Sequence, residues 1–212
     1  MQTILYIVRH GHSIANAQKF FTGHLDVELN DTGKRQAEYV KEYFKDKKVD
    51  IVYSSDLIRA YDTVKDIAIE KNIPHVKSQN LREINAGDWE GKTFDYLCEN
   101  YSDFLMWRTT VHKVKTPNGE SVLDLANRVF NEVTKIAKTE LGKTVVIGTH
   151  ATPIRALVAK LCYGSFENMD TTPWFPNCGI LKLAYDGEKF TVLNECITEH
   201  LNGEVSVFPK NV

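Results

Sequence analysis

Two histidines and two arginines stand where an α/β protein keeps its reactive groups. Arg9-His10-Gly11-His12 follows the apolar run at residues 3–8 (TILYIV), and Thr149-His150 follows the run at residues 144–148 (TVVIG). Between them, Ser54-Ser55-Asp56-Leu57-Ile58-Arg59 follows a short run at residues 50–53. If the three runs are strands of one open sheet, ligands bind beyond their carboxyl ends, and Arg9, His10, Arg59 and His150 converge there. Guanidinium groups clamp phosphate oxygens bidentately, and helix starts after Ser55 and His150 would add oriented N–H donors. Fixed positive groups stabilise the charge spread over the equatorial oxygens of a transferring phosphoryl group without a metal ion. An imidazole in line with the phosphorus is a nucleophile once one ring nitrogen is unprotonated, and Arg9 and Arg59 would lower its pKa toward that form. The chemistry so read is phosphoryl transfer through a phosphohistidine.

Strand and helix signals alternate along the chain. Residues 3–8 and 144–148 read as strands buried on both faces of a parallel sheet. Asn30-Asp31-Thr32 offers caps to a helix carrying Ala37, Val40, Tyr43 and Phe44, and Ser54-Ser55-Asp56 to one carrying Leu57, Ala60, Tyr61, Val64, Ile67 and Ala68. Residues 75–77 after Pro74 are a weak strand signal. The clearest helix opens at Gly119-Glu120-Ser121 and keeps the i, i+3, i+4, i+7 rhythm from Val122 to Ala137. Another starts near Ala151-Thr152-Pro153, and Asp186-Gly187 marks a hairpin between residues 179–184 and 190–195. These elements predict a three-layer α/β/α sandwich with a mixed, mostly parallel central sheet. Residues 83–119 differ: Trp89, Phe94, Tyr96, Leu97, Tyr101, Phe104 and Trp107 are interleaved with Lys92, Arg108, Lys113 and Lys115. The segment reads either as a helical insertion with ordinary aromatic packing or as a lid over a pocket.

Composition bounds the partner. With Lys+Arg 26 against Asp+Glu 28, the net charge of −2 excludes the basic surface that nucleic-acid binding requires, so phosphate recognition would be local. Hydrophobic residues at 42% and charged residues at 25% are those of a globular domain, and no apolar run approaches the roughly 18–20 residues of a membrane span. Met1-Gln2-Thr3-Ile4-Leu5-Tyr6 carries no signal-peptide features, which predicts a cytoplasmic protein. Cys98, Cys162, Cys178 and Cys196 form no C-x-x-C pair and read as buried thiols rather than disulfides.

The series Leu5-Tyr6-Ile7-Val8-Arg9-His10-Gly11-His12-Ser13 with Asn16 closely resembles the opening signature of the histidine phosphatases, the superfamily of cofactor-dependent phosphoglycerate mutase. The resemblance continues in order through Thr22-Gly23 with Asp26 and Leu29, Gly33, Gln36-Ala37, Ser54 to Ala60 with Thr63, Leu81-Arg82-Glu83-Ile84, Gly87 to Gly91, Gly119-Glu120-Ser121 with Arg128, and Gly148-Thr149-His150. It implies a single histidine phosphatase domain over residues 1–212 with a lid-like helical insertion around 90–118. It implies His10 as nucleophile, Arg9, Arg59 and His150 as the rest of the phosphate pocket, and Glu83 as proton donor to the leaving alkoxide and then base toward water. Asn16, Thr22 and Gly23 would be substrate contacts, and no metal or other cofactor is called for. Glu90 is the competing acid. His12 stands where the family usually shows glutamate or glutamine, and would add a cation at the pocket rim.

The expected activity is a metal-independent phosphomonoesterase acting on a small phosphorylated metabolite in the cytoplasm, without nucleic acid or membrane and compatible with a homodimer. The Asn118-Gly119-Glu120-Ser121 junction and the moderate aromatic insertion look more like the phosphatase branch than the mutases, whose insertion is longer and basic. A cofactor-dependent phosphoglycerate mutase is the alternative. A metal-dependent hydrolase, from the H-x-H spacing of His10 and His12, is opposed by Arg9 and Arg59, which would repel a divalent cation. A phosphate-binding module without turnover is opposed by the presence of every core position.

Overall fold

In a computed structural model, described here over residues 1–206, the chain runs β1 (Thr3–Arg9), α1 (Ile14–Gln18), α2 (Asp31–Phe44), β2 (Ile51–Ser54), α3 (Ile58–Lys71), β3 (His75–Lys77), α4 (Phe94–Asn100), α5 (Phe104–Thr109), α6 (Val122–Thr139), β4 (Thr144–Thr149), α7 (Ala151–Tyr163), β5 (Ile180–Tyr185) and β6 (Phe190–Ile197). The C-terminal residues 207–212, to which the sequence assigns nothing, lie outside the described residues. The strands form a six-stranded sheet in the order β3-β2-β4-β1-β5-β6. β1, β2, β3 and β4 are parallel, and β5 and β6 complete an antiparallel edge.

Alternation along the strands makes the layers. Leu5, Ile7, Val145 and Ile147 face one cluster with Val122, Leu125, Val129 and Val133 of α6 and Ile154 and Leu157 of α7. Tyr6, Val8, Val52 and Val146 face a second with Val40 and Phe44 of α2 and Val64 and Ile67 of α3. A strand whose two sets of side chains are both buried reads as a continuous apolar run, which is why β1 and β4 stood out in the sequence. The fold is the α/β/α sandwich with a mixed, mostly parallel sheet that the alternation of elements predicted.

Two helix starts differ from expectation. The five-residue α1, too short to show periodicity, begins at a capping box in which Ser13 accepts from the Asn16 N–H and the Asn16 side chain accepts from the Ser13 N–H. α3 is not capped by Ser54-Ser55-Asp56: Leu57 is its N-cap and supplies no side-chain bond. Asp26, from the loop after α1, instead accepts from the Ile58 N–H at 2.6 Å, while Asp56 is held by Arg82 at 2.7 and 2.5 Å. Cys178 alone of the four free thiols is fully buried, Cys98 and Cys162 being half-buried and Cys196 exposed.

Removing the cap that Asp26 supplies leaves an N–H of α3 without its acceptor. Asp26→Ala is expected to lower unfolding free energy by about 1 kcal/mol in urea titrations, although residue 26 is exposed and lies outside the helix.

Candidate active site

The sheet order brings the predicted residues together. β4 lies between β2 and β1, so the segments that follow the three strands are neighbours. Arg9 closes β1, His10 follows it, Arg59 sits in the first turn of α3, and His150 is the N-cap of α7. Side-chain ties hold these segments in register. Thr63 accepts from the Gly11 N–H at 2.9 Å and donates to the Arg59 carbonyl at 2.7 Å, linking the turn that carries the nucleophile candidate to α3. Gly33 of α2 packs against the same turn so closely that a Cβ there would lie 2.0 Å from the His12 carbonyl oxygen.

A cleft of about 510 Å³, its open mouth included, lies over these segments. Arg9, His10, Asn16, Thr22, Gly23, Arg59 and Glu83 all line it. His150 does not: it is fully buried beneath, with its ring centroid 5.2 Å from that of His10. The His10 Nδ1 lies 2.7 Å from the Gly11 carbonyl oxygen. A carbonyl only accepts, so Nδ1 carries the proton and Nε2 keeps its lone pair. Burial first, then Arg59 and Arg9, push the His10 pKa well below its ordinary value. The sequence pointed to the arginines; desolvation is the larger cause. Burial, Arg59 and His10 do the same to His150, whose two ring nitrogens have no hydrogen-bond partner among the described residues.

Both arginines are almost completely buried, and burial lowers each pKa to about 10, which leaves them charged at neutral pH. Arg9 donates to the Phe175 carbonyl, and Arg59 to the carbonyls of Leu25 and Gly23, both at 2.9 Å. Arg59 thereby fixes the loop bearing Thr22 and Gly23. Gly23 has φ +52°, and a Cβ on it would lie 2.2 Å from Glu90 Oε1. That contact identifies the place of Glu90: its Oε1 accepts from the His24 and Ala86 N–H groups at 2.7 and 3.1 Å, underneath the loop and outside the cleft lining. Glu83 is the carboxylate in the cleft, with Oε1 accepting from the Ile84 N–H at 2.9 Å and Oε2 from the Thr152 N–H at 3.3 Å.

Asn16 spends its Oδ1 on Ser13 and on the Asn177 amide, which leaves its NH2 edge as donor. Asn177 was not singled out from the sequence, yet its Nδ2 also donates to the His10 carbonyl at 2.9 Å. Of the two expected helix starts, Ala151 and Thr152 of α7 line the cleft, whereas at the start of α3 Leu57 and Ile58 do not, and the Ile58 N–H is taken by Asp26. His12 is not a rim cation. The Asn30 Oδ1 caps α2, so the Asn30 NH2 faces His12 Nδ1 at 2.9 Å and makes it an acceptor, while burial holds the ring's pKa down. The two histidines of the H-x-H spacing therefore serve different surroundings.

The far wall of the cleft is aromatic: Phe20, Phe21, Phe94, Trp107 and Trp174. Phe20, Phe21 and Trp174 escaped the sequence reading, since they sit on irregular segments with no periodicity to flag them. Phe21 meets Trp107 edge to face at 5.0 Å, and Trp89 meets Phe104 at 5.1 Å. Trp89, Leu97 and Phe104 are fully buried. Most apolar side chains of this segment thus form core, with Phe94 and Trp107 supplied to the cleft.

A family model described as histidine phosphatase superfamily (branch 1) matches residues 5–198. The chain belongs to that superfamily. Phosphoserine phosphatase 1 of Hydrogenobacter thermophilus is 35% identical over 158 residues, 74% of this chain and 75% of that protein. A 2,3-bisphosphoglycerate-dependent phosphoglycerate mutase of Cytophaga hutchinsonii is also 35% identical, over 164 residues, 74% of this chain and 76% of that one. The solved structure of Bacillus stearothermophilus YhfR superposes with a TM-score of 0.89 at 27% identity, covering 94% of this chain and 99% of that chain.

The two buried imidazoles set an acid limit on stability. An unfolded histidine takes up a proton near pH 6.5 and these folded ones do not. The unfolded state therefore binds more protons below that pH, and stability falls as pH drops from 6.5 toward the depressed folded values. Each group contributes a slope of about 1.4 kcal/mol per pH unit. His150→Gln is expected to flatten the dependence between pH 6.5 and 5 by about one proton in urea titrations, whatever it does to stability at pH 7.

Proposed function

We propose that this chain is a metal-independent phosphomonoesterase that hydrolyses a small phosphorylated metabolite through a phosphohistidine. The observation that carries the reading is the tautomer of His10: with Nδ1–H committed to the Gly11 carbonyl, an unprotonated Nε2 belongs to a cleft lined by Arg9 and Arg59. In the first step Nε2 bonds to phosphorus and the ester P–O bond breaks. Glu83 gives its proton to the departing alkoxide. In the second, Glu83 as carboxylate takes a proton from water, the water oxygen bonds to phosphorus, and the N–P bond breaks to release phosphate. Arg9 and Arg59 hold the phosphoryl oxygens, His150 completes the pocket from beneath His10, its unpartnered nitrogens supporting that assignment, and Asn16, Thr22 and Gly23 meet the substrate.

The aromatic wall supports a substrate with an apolar portion beyond the phosphate, and the size of the cleft a small ester rather than a polyanion. Among the described residues no helix is long and apolar enough to cross a membrane. The reading places the protein in the cytoplasm, without a nucleic-acid partner, as one domain. Residues 90–118 act in it as a lid-like insertion that shields the phosphohistidine from bulk water.

The similarity to the Cytophaga mutase keeps mutase activity as a second reading. Incubation with 3-phosphoglycerate and bisphosphoglycerate primer separates them: a phosphatase releases inorganic phosphate, whereas efficient isomer formation with little phosphate overturns the first reading. Rapid acid-free quenching with a radiolabelled phosphate ester is expected to trap base-stable, acid-labile label on the parent and none on His10→Ala. If His10→Ala turned over aryl phosphates at the parent rate, the nucleophile would be another group.

A further inference from the structure

Glu83 stands in an unusual place for a group that must meet a leaving oxygen. Residues 83–86 adopt no helix or strand, so no regular backbone ladder fixes the stretch. Side chains hold it instead: His24 Nε2 lies 3.0 Å from the Glu83 carbonyl oxygen, Thr116 Oγ1 donates to the Asn85 carbonyl at 2.7 Å, and one residue outside the cleft ties Glu83 to the backbone before it. Arg128 of α6 donates through Nη1 to the carbonyls of Asn80 and Arg82 at 3.0 and 3.1 Å, and through Nη2 to the Glu83 carbonyl at 3.2 Å. The same guanidinium makes a fork-to-fork pair with Glu120, Nη2 to Oε1 at 2.5 Å and Nε to Oε2 at 3.3 Å. All five of its N–H donors are thereby used.

Glu120 holds the other end of the stretch. Its Oε1 accepts from the Asn85 N–H at 2.9 Å, and its own N–H donates to the Asn85 carbonyl at 3.1 Å. The backbone on both sides of Glu83 is thus fastened to one ion pair, four-fifths buried at each partner, at the start of an 18-residue helix whose apolar face lies in the core. Neither member of the pair lines the cleft, so neither touches substrate.

We infer that Arg128, oriented by Glu120, is a positioning residue for the proton donor: it fixes the backbone from which the Glu83 carboxyl reaches the leaving oxygen. The inference rests on the proposed role of Glu83. A displacement of the carboxyl by an ångström weakens proton transfer to the leaving group while the phosphate clamp of Arg9 and Arg59 stays intact. A merely structural part for Arg128 would lower turnover of all substrates alike.

The test compares two esters of similar shape and opposite demand for an acid: p-nitrophenyl phosphate, whose phenolate departs without a proton, and 2-phenylethyl phosphate, whose alkoxide needs one. The readout is the ratio of kcat/KM for the first to the second, measured on one preparation so that the active fraction cancels. Glu83→Gln is expected to raise this ratio by about 10²-fold or more, the scale of general acid catalysis. Arg128→Lys, which keeps the charge but not the planar fork, is expected to raise it about tenfold, and Glu120→Ala similarly. Arg128→Ala should exceed both where it folds; the lysine variant decides if it does not. A raised ratio in Glu83→Gln with the parent ratio in Arg128→Lys overturns the positioning role. No change in Glu83→Gln removes the acid assignment itself, and the positioning role with it.

Discussion

Everything in this molecule turns on keeping cationic groups in a nearly dry place before any anion arrives. Arg59 is buried with carbonyl oxygens for partners and, among the described residues, no carboxylate within ion-pair distance. Carbonyl dipoles take up its Nη1 and Nη2 groups, while Glu83, Asp26 and Glu90 offset its charge only from a distance. Burial first, and then the Arg59 charge, push the pKa values of the neighbouring imidazoles down. The cost is carried by the rest of the fold: two apolar faces packed on one sheet, with β2, β4 and β1 side by side so that their ends cannot drift apart.

The division of labour between the two glutamates follows from the same demand. Glu83 and Glu90 are seven positions apart and chemically alike. One accepts N–H groups at the cleft, and the other is locked beneath the Gly23 loop. A carboxylate bound by backbone donors outside the cleft supports the loop's shape. Of the two, only Glu83 lines the cleft.

Legibility from the sequence tracked the range of the interactions. β1, β4 and α6 announce themselves because burial on both faces, or on one helical stripe, is written in consecutive residues. Arg9, His10 and His150 were legible because strand ends carry them, and Arg59 because it opens the helix that follows one. What could not be read came from partners far along the chain: the cap of α3 is Asp26, the brace on His10 is Asn177, and three of the five aromatic residues of the wall lie on irregular segments around residues 20 and 174. His12 was misread for the same reason: burial holds its pKa down, and its Nδ1 faces an amide 18 positions away whose orientation is set by its own capping bond.

The occupied start of α3 carries a consequence for how such a protein changes its preferences. Asp26 already accepts from the Ile58 N–H at that end, so this donor is spent inside the protein, unlike those of helix starts that grip phosphate with free backbone amides. The charged groups that line the cleft, Arg9, Arg59 and Glu83, are side chains. Single-residue replacements along the cleft can therefore retune what the protein prefers while the chain trace stays the same, giving lineages a scaffold that diversifies by point substitution.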